Sequence, residues 1–405
     1  MFCSHFAWKR SCLTLALGTT VLVLVVVCAT QPVLADTEKV LYSFGSYTGD
    51  AFWPYAGLVM DTEGNLYGTT YGGGTYGLGT VFKLTPDGSE TLLYSFGSQS
   101  GDGEYPEAGL IIDKKGNLYG TTYRGGANSD GTVFKVTSAG VETVLYSFGG
   151  SAGDGEWPVG GLIMDKKGNL YGTTSYAGAY GGGTVFKVTP AGIETVLYNF
   201  GSIPDGNTPW AGLIMDKAGN LYGTTFYGGV YNMGTVFKLT PGAVETVLYS
   251  FDGWSGDGQY PLSGLVMDTK SNLYGTTEQG GAYGDGTVFK LASAGTESIL
   301  YSFGSHPGDG ANAYPYAGPI RDKKGNLYGT TIFGGADNDG LVYEISPPAK
   351  KGGAWTETIL YTFTGEPGDG ERPFGGLVMD ANDNLYGTTY YGGATNNGTV
   401  FELTP

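Results

Sequence analysis

The sequence carries a recurring loop in which an aspartate precedes an aromatic residue and a proline. The aspartates of the Gly-Asp-Gly copies are Asp102, Asp154, Asp257, Asp309 and Asp369. Aromatic residues follow them, as in Tyr105-Pro106, Trp157-Pro158 and Tyr260-Pro261. Carboxylates alternating with aromatic faces would suit a sugar or a cation. The same residues also suit a structural role, in which each aspartate caps its own loop and each aromatic ring packs between repeats.

Two residues break this pattern and are therefore individual features of repeated loops. Trp210 follows Thr208-Pro209, and Arg372 replaces the aromatic residue before Pro373. The candidate ligand-binding residues are Asp102, Asp154, Asp257, Asp309, Asp369, Tyr105, Trp157, Trp210, Tyr260 and Arg372. Trp254 and His306 are further single features of the same loops.

Calcium is the one cofactor that the sequence suggests. The segments Asn128-Ser129-Asp130-Gly131 and Asp337-Asn338-Asp339-Gly340 cluster oxygen ligands beside a glycine. Neither segment has the spacing of an EF-hand, and Asn and Asp are also common in glycine-rich turns. The metal content stays open at this point.

The residue types limit the chemistry that the chain could catalyse. Its three cysteines, Cys3, Cys12 and Cys28, and one of its two histidines lie in the N-terminal segment. The remaining histidine, His306, cannot form a multi-histidine zinc site, and we expect it to be solvated. No nucleophile-elbow motif marks a serine. Two carboxylates could still hydrolyse a glycoside, so no catalytic residue is assigned and an acid-pair hydrolase or lyase remains the alternative.

A repeat of about 52 residues must position these loops. The string NLYGTT begins at Asn65, Asn117, Asn169, Asn220, Asn272, Asn326 and Asn384. Each copy predicts four short strands, A (GLIMD), B (LYGTTY), C (GTVFKLT) and D (ETVLYSF), joined by tight turns and one glycine-rich loop. The class is all-β, because no long segment has helical apolar spacing. NLYGTT is interpreted as structural, with its glycine allowing a neighbouring backbone to approach.

The ends of the repeat array predict a closed ring. A lone D strand, 39–44, precedes the first A strand, and the chain ends just after the seventh C strand. The N-terminal strand can therefore complete the last sheet and give a seven-bladed β-propeller of four-stranded antiparallel blades. A β-solenoid is the alternative, but it would need polar caps that are not visible.

The first 35 residues have the features of a secretory signal. Lys9 and Arg10 precede an apolar run, and Val33-Leu34-Ala35 provides a cleavage site after Ala35. Residues 1–35 are predicted to be this signal peptide, and residues 36–405 one propeller domain that is secreted or periplasmic. An uncleaved anchor is the alternative, since the run is long enough. The net charge of −17 disfavours nucleic acid and anionic lipid, and we expect a monomer without membrane contact after cleavage.

The strings GLIMDKKGNLYGTT, GTVFKLTP and ETVLYSF resemble the GloVer tandem repeat of bacterial exported proteins, from about Lys39 to Pro405. This resemblance implies a propeller-type surface protein without an established activity. The A–B part is also similar to gluconolactonase and streptogramin-lyase propellers. The lyases would imply a histidine base on the channel face, and no residue here matches it.

In a propeller of this topology the D–A and B–C loops share one face, the loop face, which is acidic and aromatic. The opposite turn face carries Lys114, Lys115, Lys166, Lys167, Lys217, Lys323 and Lys324. We therefore expect a non-catalytic propeller that binds a carbohydrate or protein ligand through the loop face. A structural or adhesive surface protein is the third possibility.

Overall fold

The computed structural model describes residues 38–254, 256–310 and 318–404. The predicted signal peptide, with its cleavage site at Ala35, lies outside the described residues. Every regular element among the described residues is a β-strand, so the all-β prediction is confirmed. No helix in this part of the chain is long and apolar enough to cross a bilayer.

Seven four-stranded antiparallel sheets form the blades, each in the order A-B-C-D. The A strands are Val59–Met60, Ile111–Ile112, Ile163–Met164, Ile214–Met215, Val266–Met267, Ile320–Arg321 and Val378–Met379. The B strands are Leu66–Thr70, Leu118–Thr122, Leu170–Thr174, Leu221–Thr225, Leu273–Thr277, Leu327–Thr331 and Leu385–Thr389. The C strands are Thr80–Leu84, Thr132–Val136, Thr184–Val188, Thr235–Leu239, Thr287–Leu291, Leu341–Ser346 and Thr399–Leu403. The D strands of blades 1 to 6 are Glu90–Ser95, Glu142–Ser147, Glu194–Asn199, Glu245–Ser250, Glu297–Ser302 and Thr356–Thr362.

The D strand of blade 7 comes from the other end of the chain. Glu38–Ser43 pairs antiparallel with Thr399–Leu403, and Tyr42 lies opposite Val400. The ring is therefore closed by an N-terminal strand that completes the last blade, as predicted. Closure leaves no terminal sheet face exposed, which a solenoid would have had to cap.

Short two-stranded sheets place the D–A and B–C loops on the same face. In blade 1 the segment Ala51–Phe52 pairs with Gly72–Gly73. The other described pairs are Gly103–Glu104 with Arg124–Gly125, Gly155–Glu156 with Tyr176–Ala177, Gly206–Asn207 with Tyr227–Gly228, Gly258–Gln259 with Gln279–Gly280, and Gly370–Glu371 with Tyr391–Gly392. These ladders hold the loop face rigidly against the blades.

The A–B turn is built by the aspartate that ends each A strand. In blade 1, Oδ1 of Asp61 accepts bonds from the backbone N–H groups of Glu63 and Asn65, both at 2.9 Å. Its Oδ2 accepts bonds from the Asn65 amide at 2.8 Å and the Tyr67 hydroxyl at 3.0 Å. The aspartate–asparagine bond recurs in all seven blades. The Asn and Tyr of NLYGTT thus fix the hairpin and have a structural role.

The core lies between the blades rather than within them. One cluster joins Val81 and Phe96 of blade 1 to Leu110, Leu118 and Phe134 of blade 2, all of them buried. Because a single sheet cannot cover both of its apolar faces, each blade depends on its neighbours for burial.

The glycine of NLYGTT makes room for an aromatic ring of its own blade. A Cβ on Gly68 would lie 2.6 Å from the Phe82 ring and 2.9 Å from Leu58. The expectation that a neighbouring backbone approaches this glycine was wrong, because the close neighbours are side chains of strands C and A.

The first threonine of NLYGTT links adjacent blades. The Thr69 hydroxyl donates to the backbone carbonyl of Ala108 in the next blade at 3.0 Å. The same bond is made by Thr121, Thr173, Thr224, Thr330 and Thr388. The second threonine pairs across its own sheet, as in the 2.7 Å contact between the Thr70 and Thr80 hydroxyls.

Candidate functional site

The aspartates of the D–A loops are turned into their own loops. Oδ2 of Asp102 accepts bonds from the Tyr94 hydroxyl at 2.7 Å and from the N–H groups of Gly97 and Ser98 at 2.8 and 2.9 Å. Its Oδ1 accepts a bond from the Gly103 N–H at 2.8 Å. Asp102 is 4% exposed. The carboxylate thus ties the end of strand D to the start of the small two-stranded sheet.

The same bonding recurs at the other predicted aspartates. A tyrosine of strand D donates to Asp154 and to Asp257, and the following N–H donates to Asp154, Asp257 and Asp369. Asp154 and Asp309 are buried, whereas Asp257 and Asp369 are half-buried. The structure therefore distributes these carboxylates over separate blades and does not gather them into one cluster.

In the D–A loops that the structure describes in full, the residue before the recurring proline has a left-handed backbone, which is strained for a side chain that is not glycine. Tyr105, Trp157, Tyr260 and Arg372 have φ values of 56°, 60°, 57° and 56°. The Tyr105 N–H donates to the Leu78 carbonyl of blade 1 at 2.9 Å, and its carbonyl accepts from the Tyr123 N–H of blade 2. This backbone is held from both sides of a blade boundary, so the side chain above it has a fixed position.

Aromatic rings from neighbouring blades stack along the loop face, and we call these rings the aromatic belt. Tyr105 stacks on Tyr71 of the preceding blade with centroids 4.9 Å apart. Phe226 lies between Trp210, at 5.7 Å, and Tyr260, at 5.0 Å. The belt also contains the pairs Trp53–Tyr390 and Tyr55–Phe374, and Trp157, which contacts both Tyr123 and Tyr176. All of these rings are half-buried except that of Tyr176, which is exposed.

Two arginines are inserted into the belt. The Arg124 guanidinium lies 4.8 Å from the ring centroids of both Tyr123 and Trp157. Arg372 lies 5.3 Å from the Phe333 ring, and its Nε is 3.2 Å from Oε1 of Glu371. Arg372 thus takes the place of an aromatic residue in the belt while remaining in contact with aromatic faces.

A channel of about 470 Å³ runs along the propeller axis and is lined by residues of all seven blades. Its wall consists mainly of glycines and aliphatic residues of the A strands. Glycine is required at some of these positions because a neighbouring backbone approaches closely: a Cβ on Gly212 would lie 2.8 Å from the Gly161 carbonyl oxygen. The described wall is therefore narrow and largely apolar.

Of the residues that line this channel, two are charged: Glu107 and Arg321. Glu107 directly follows Tyr105-Pro106 and so lies at the loop-face mouth. Burial raises the pKa of Glu107 to about 7, although the Arg124 guanidinium lowers it. This carboxyl group can therefore exchange a proton near neutral pH. Its charge contributes to raising the pKa values of the belt residues Tyr71 and Tyr390, so it lies near them.

Arg321 lies at the opposite end of the channel, next to the A–B turn of blade 6. Its guanidinium is 5.6 Å from the Tyr274 ring centroid, and its buried Nε has no hydrogen-bond partner. Five of the other blades place a methionine at this position, namely Met60, Met164, Met215, Met267 and Met379. The cation is thus a feature of blade 6.

Sequence reasoning missed both Glu107 and Arg321. Superposing the seven repeats position by position would have found them. Glu107 is aligned with Tyr55, Val159, Trp210, Leu262, Tyr316 and Phe374, and it is the one acid in that column. Both residues differ from those at the same position of the other repeats, and this difference was the available signal. The prediction concentrated instead on residues that recur.

The two loops that suggested calcium use their amides for internal bonds. The Asn128 amide donates to the Phe148 carbonyl at 2.8 Å, and Oδ1 of Asn338 accepts from the Gly334 N–H at 3.1 Å. Calcium binding by these loops stays a prediction.

Comparison with known proteins relates this geometry to a family. The family described as the Gloeobacter/Verrucomicrobia repeat matches residues 29–217, 153–314 and 266–405, which together cover the chain from residue 29 onward. No curated protein matches the chain.

Solved structures with the same fold have low identity. The extracellular domain of a proposed one-component system from B. thetaiotaomicron is 14% identical with a TM-score of 0.54, over 90% of this chain and 40% of that chain. This chain thus spans less than half the length of that protein. A gluconolactonase from Xanthomonas campestris is 16% identical with a TM-score of 0.43, over 74% of this chain and 86% of that chain.

The likeness to the extracellular domain indicates a shared fold alone, because the identity is low. The family match is of another kind, since it covers all seven copies of the NLYGTT motif and confirms the resemblance to the GloVer repeat. The chain therefore belongs to the Gloeobacter/Verrucomicrobia repeat family, and its seven repeats are the blades of one closed ring.

Proposed function

We propose that this protein is an exported, non-catalytic propeller that binds a carbohydrate on its loop face, at the mouth of the axial channel. The observation that carries the proposal is the aromatic belt around a mouth that holds one carboxylate, Glu107. The proposed protein acts as a monomer in a secreted or periplasmic location.

The chemistry of a sugar matches this arrangement. The C–H faces of a pyranose are apolar and stack on aromatic rings, while its hydroxyls need hydrogen-bond acceptors. Tyr105, Trp157, Trp210 and Tyr260 would provide faces, and Glu107 would accept bonds from hydroxyl groups. Because Tyr105, Trp157 and Tyr260 have constrained backbones, little conformational entropy would be lost at these residues on binding.

The aspartates would contribute indirectly in this proposal. Asp102, Asp154, Asp257, Asp309 and Asp369 would keep the loops in shape, and Arg372 would add a hydrogen-bond donor at the belt. An opened loop would be needed before most of these carboxylates could reach a ligand, because their oxygens already accept bonds from the loop.

A glycoside hydrolase or lyase is the catalytic alternative. A raised pKa suits a proton donor, and Glu107 has one. Hydrolysis of a glycoside also needs a second carboxylate across the scissile bond. Among the described residues that line the channel, Glu107 is the one acid, which favours binding over catalysis.

A protein ligand is the second candidate, favoured by a set of exposed tyrosines. Tyr76, Tyr180, Tyr231 and Tyr283 occupy the tips of the B–C loops in four blades and are 53%, 75%, 51% and 58% exposed. Tyrosines of this kind provide contact area at low entropic cost in protein interfaces. They lie outside the aromatic belt, so the two candidates can be tested separately.

The test is a glycan-array screen of the protein from Asp36 onward, which contains every described residue. We expect a glycan to be retained, and its affinity to fall at least about tenfold in Glu107→Gln and in Trp210→Ala. Lys166→Ala, on the exposed turn face, is the matched control and should bind as the unchanged protein does.

The outcome separates the candidates. Turnover of a bound glycan or of a lactone that is lost in Glu107→Gln would establish the catalytic alternative. If no glycan binds, the carbohydrate proposal is wrong, and a partner lost on changing Tyr180 and Tyr231 to Ala would then identify a protein ligand.

A further inference from the structure

Each blade boundary places a glutamate of one D strand near an aspartate of the preceding loop. The glutamates are Glu38, Glu90, Glu142, Glu194, Glu245, Glu297 and Glu357, and in each of them the nearby aspartate contributes to a raised pKa. These pairs lie at the outer strands, away from the axial channel. The seven boundaries are therefore nearly equivalent, so a residue that differs at one of them can be recognised.

The boundary between blades 5 and 6 differs because it adds a histidine. His306, Asp309 and Glu357 place one ligand atom each within 4.8 Å of one another. Nε2 of His306 is 3.6 Å from Oε2 of Glu357. In the corresponding place, three residues before the aspartate, the other loops have Tyr47, Gln99, Ser151, Ser202, Trp254 and Glu366.

The two carboxylates of this site have buried oxygens without partners. Oδ1 of Asp309 and Oε1 of Glu357 are buried and accept no hydrogen bond, and the Oε1 of the equivalent glutamate is likewise unpaired at the six other boundaries. Asp309 is 4% exposed, and the Glu357 side chain is 3% exposed. In the six other loops the corresponding Oδ1 accepts a bond from the next N–H. The free Oδ1 is therefore specific to this boundary.

The two carboxylates also share one hydroxyl group. The Tyr301 oxygen lies 2.9 Å from Oδ2 of Asp309 and 3.0 Å from Oε2 of Glu357. A hydroxyl has one proton and can donate to one of these oxygens at a time. Two buried carboxylates so close together are stable only if one of them is protonated or a cation lies between them.

We propose that His306, Asp309 and Glu357 bind a divalent transition-metal ion, of which Zn²⁺ is the representative. A ring nitrogen and two carboxylate oxygens are ligands that this class of ion accepts. Bonds of about 2.0–2.2 Å to a tetrahedral ion place its ligand atoms about 3.3–3.6 Å apart. The 3.6 Å between His306 and Glu357 fits this spacing, and the full set of three ligand atoms lies within 4.8 Å. The ion neutralises the two acids and joins the outer strands of two blades.

The half-exposed ring of His306 leaves access for the ion, since its side chain is 51% exposed. The site differs from the predicted calcium loops in both place and ligand chemistry, because calcium prefers oxygen ligands alone. It is also independent of the proposed carbohydrate site, so either proposal can fail without the other.

The experiment titrates Zn²⁺ into the untagged protein from Asp36 onward, with calorimetry as the readout. This protein has His306 as its one histidine, so the imidazole NMR signal reports on the same residue. We expect one ion per chain, a shift of the imidazole signal on binding, and a melting temperature that rises with Zn²⁺.

Variants decide whether these residues are the ligands. We expect His306→Ala and Glu357→Gln to weaken Zn²⁺ binding by at least about tenfold. Glu194→Gln, at a boundary with the same acid pair but without a histidine, is the matched control and should keep the affinity. His306→Ala changes a half-exposed side chain, so it tests the site even if Glu357→Gln does not fold.

The proposal is overturned if Zn²⁺ does not bind, if the affinity is the same in His306→Ala, or if Glu194→Gln loses binding equally. A buried proton, held by Glu357 in place of the metal ion, would then account for the paired carboxylates.

Discussion

The hydroxyl of Thr388 donates a hydrogen bond of 2.9 Å to the backbone carbonyl of Ala56, 332 residues earlier in the chain. It joins blade 7 to blade 1 through the contact that Thr69 and Thr224 make between consecutive blades. We call the junction between the two ends of the chain the seam. It is held by this threonine of an inner strand and also by the N-terminal D strand, which is the outer strand of blade 7.

Removing this hydroxyl should weaken the seam. Thr388→Val leaves a buried carbonyl without its donor, and we expect a loss of about 1–3 kcal/mol in the free energy of unfolding. Urea denaturation measures the loss, and hydrogen exchange of Glu38–Ser43 should become faster. Thr388→Ser keeps the hydroxyl and should lose less than half as much; equal losses in both variants would assign the effect to packing.

The sequence predicted the architecture well because the repeat makes each element visible seven times. The turn aspartates and the strand periodicity recur, so their structural roles could be inferred from position alone. The N-terminal strand 39–44 was recognisable as the missing D strand because it matched its six counterparts.

The candidate site was less predictable, since it depends on residues that do not recur. Glu107 and Arg321 become neighbours of the channel through the approach of seven separate A strands, which sequence spacing does not encode. His306 appeared to be an isolated loop residue, because its neighbour Glu357 belongs to the next blade and lies 51 positions further along the chain.

The glycines that line the channel give a prediction in which one glycine is the control for another. A Cβ on Gly212 would meet the Gly161 carbonyl oxygen at 2.8 Å, whereas the nearest atom to a Cβ on Gly161 is 3.9 Å away. We expect Gly212→Ala to cost about 1–3 kcal/mol through overpacking. Gly161→Ala should be neutral or stabilising by up to about 1 kcal/mol. Thermal and urea unfolding of the two variants provide the comparison, and equal effects would contradict the close-packed ring.

The paired carboxyl groups predict that the protein is less stable at alkaline than at mildly acidic pH. Burial and a neighbouring aspartate raise the pKa of Glu142 from its ordinary 4.5 to about 7, and Glu194 behaves in the same way. Since the folded state holds these protons more tightly, the free energy of unfolding should fall as the pH rises from about 4.5 to 7. Summed over the seven Glu–Asp pairs and discounted for exposure to solvent, we expect the free energy of unfolding to fall by on the order of 2–4 kcal/mol.

The turn aspartates determine how the stability of the protein changes at more acidic pH. Burial acts to raise the pKa of Asp61, but hydrogen bonds from Asn65 and Tyr67 outweigh it and hold the pKa below its ordinary 3.8. Their stabilisation is present above pH 3.8 and is lost as the pH falls through the lowered pKa. Stability should therefore be greatest near pH 4 to 5. Urea unfolding at several pH values tests this. The double variant Glu142→Gln, Glu194→Gln should flatten the decline in stability between pH 4.5 and 7, and an unchanged decline would assign it to the overall negative charge.

Arg321 should reduce stability at the turn-face end of the channel. Its Nε is buried without a hydrogen-bond partner, in a position where Met267 of the adjacent blade is apolar. Arg321→Met should raise the free energy of unfolding by about 1 kcal/mol, because it removes a buried Nε–H donor that has no partner. A decrease in urea unfolding experiments would mean that the contact with Tyr274 outweighs the cost of burial.

The seam has a consequence for the order of assembly. Glu38–Ser43 leaves the ribosome before any blade exists, but its partner Thr399–Leu403 is made after all of the others. Among the described strands, the first to be synthesised is thus the last to find its partner, and the ring cannot close until the C strand of blade 7 has been made. A chain that stops before blade 7 would leave the edge of Glu38–Ser43 unpaired and open to association with other chains.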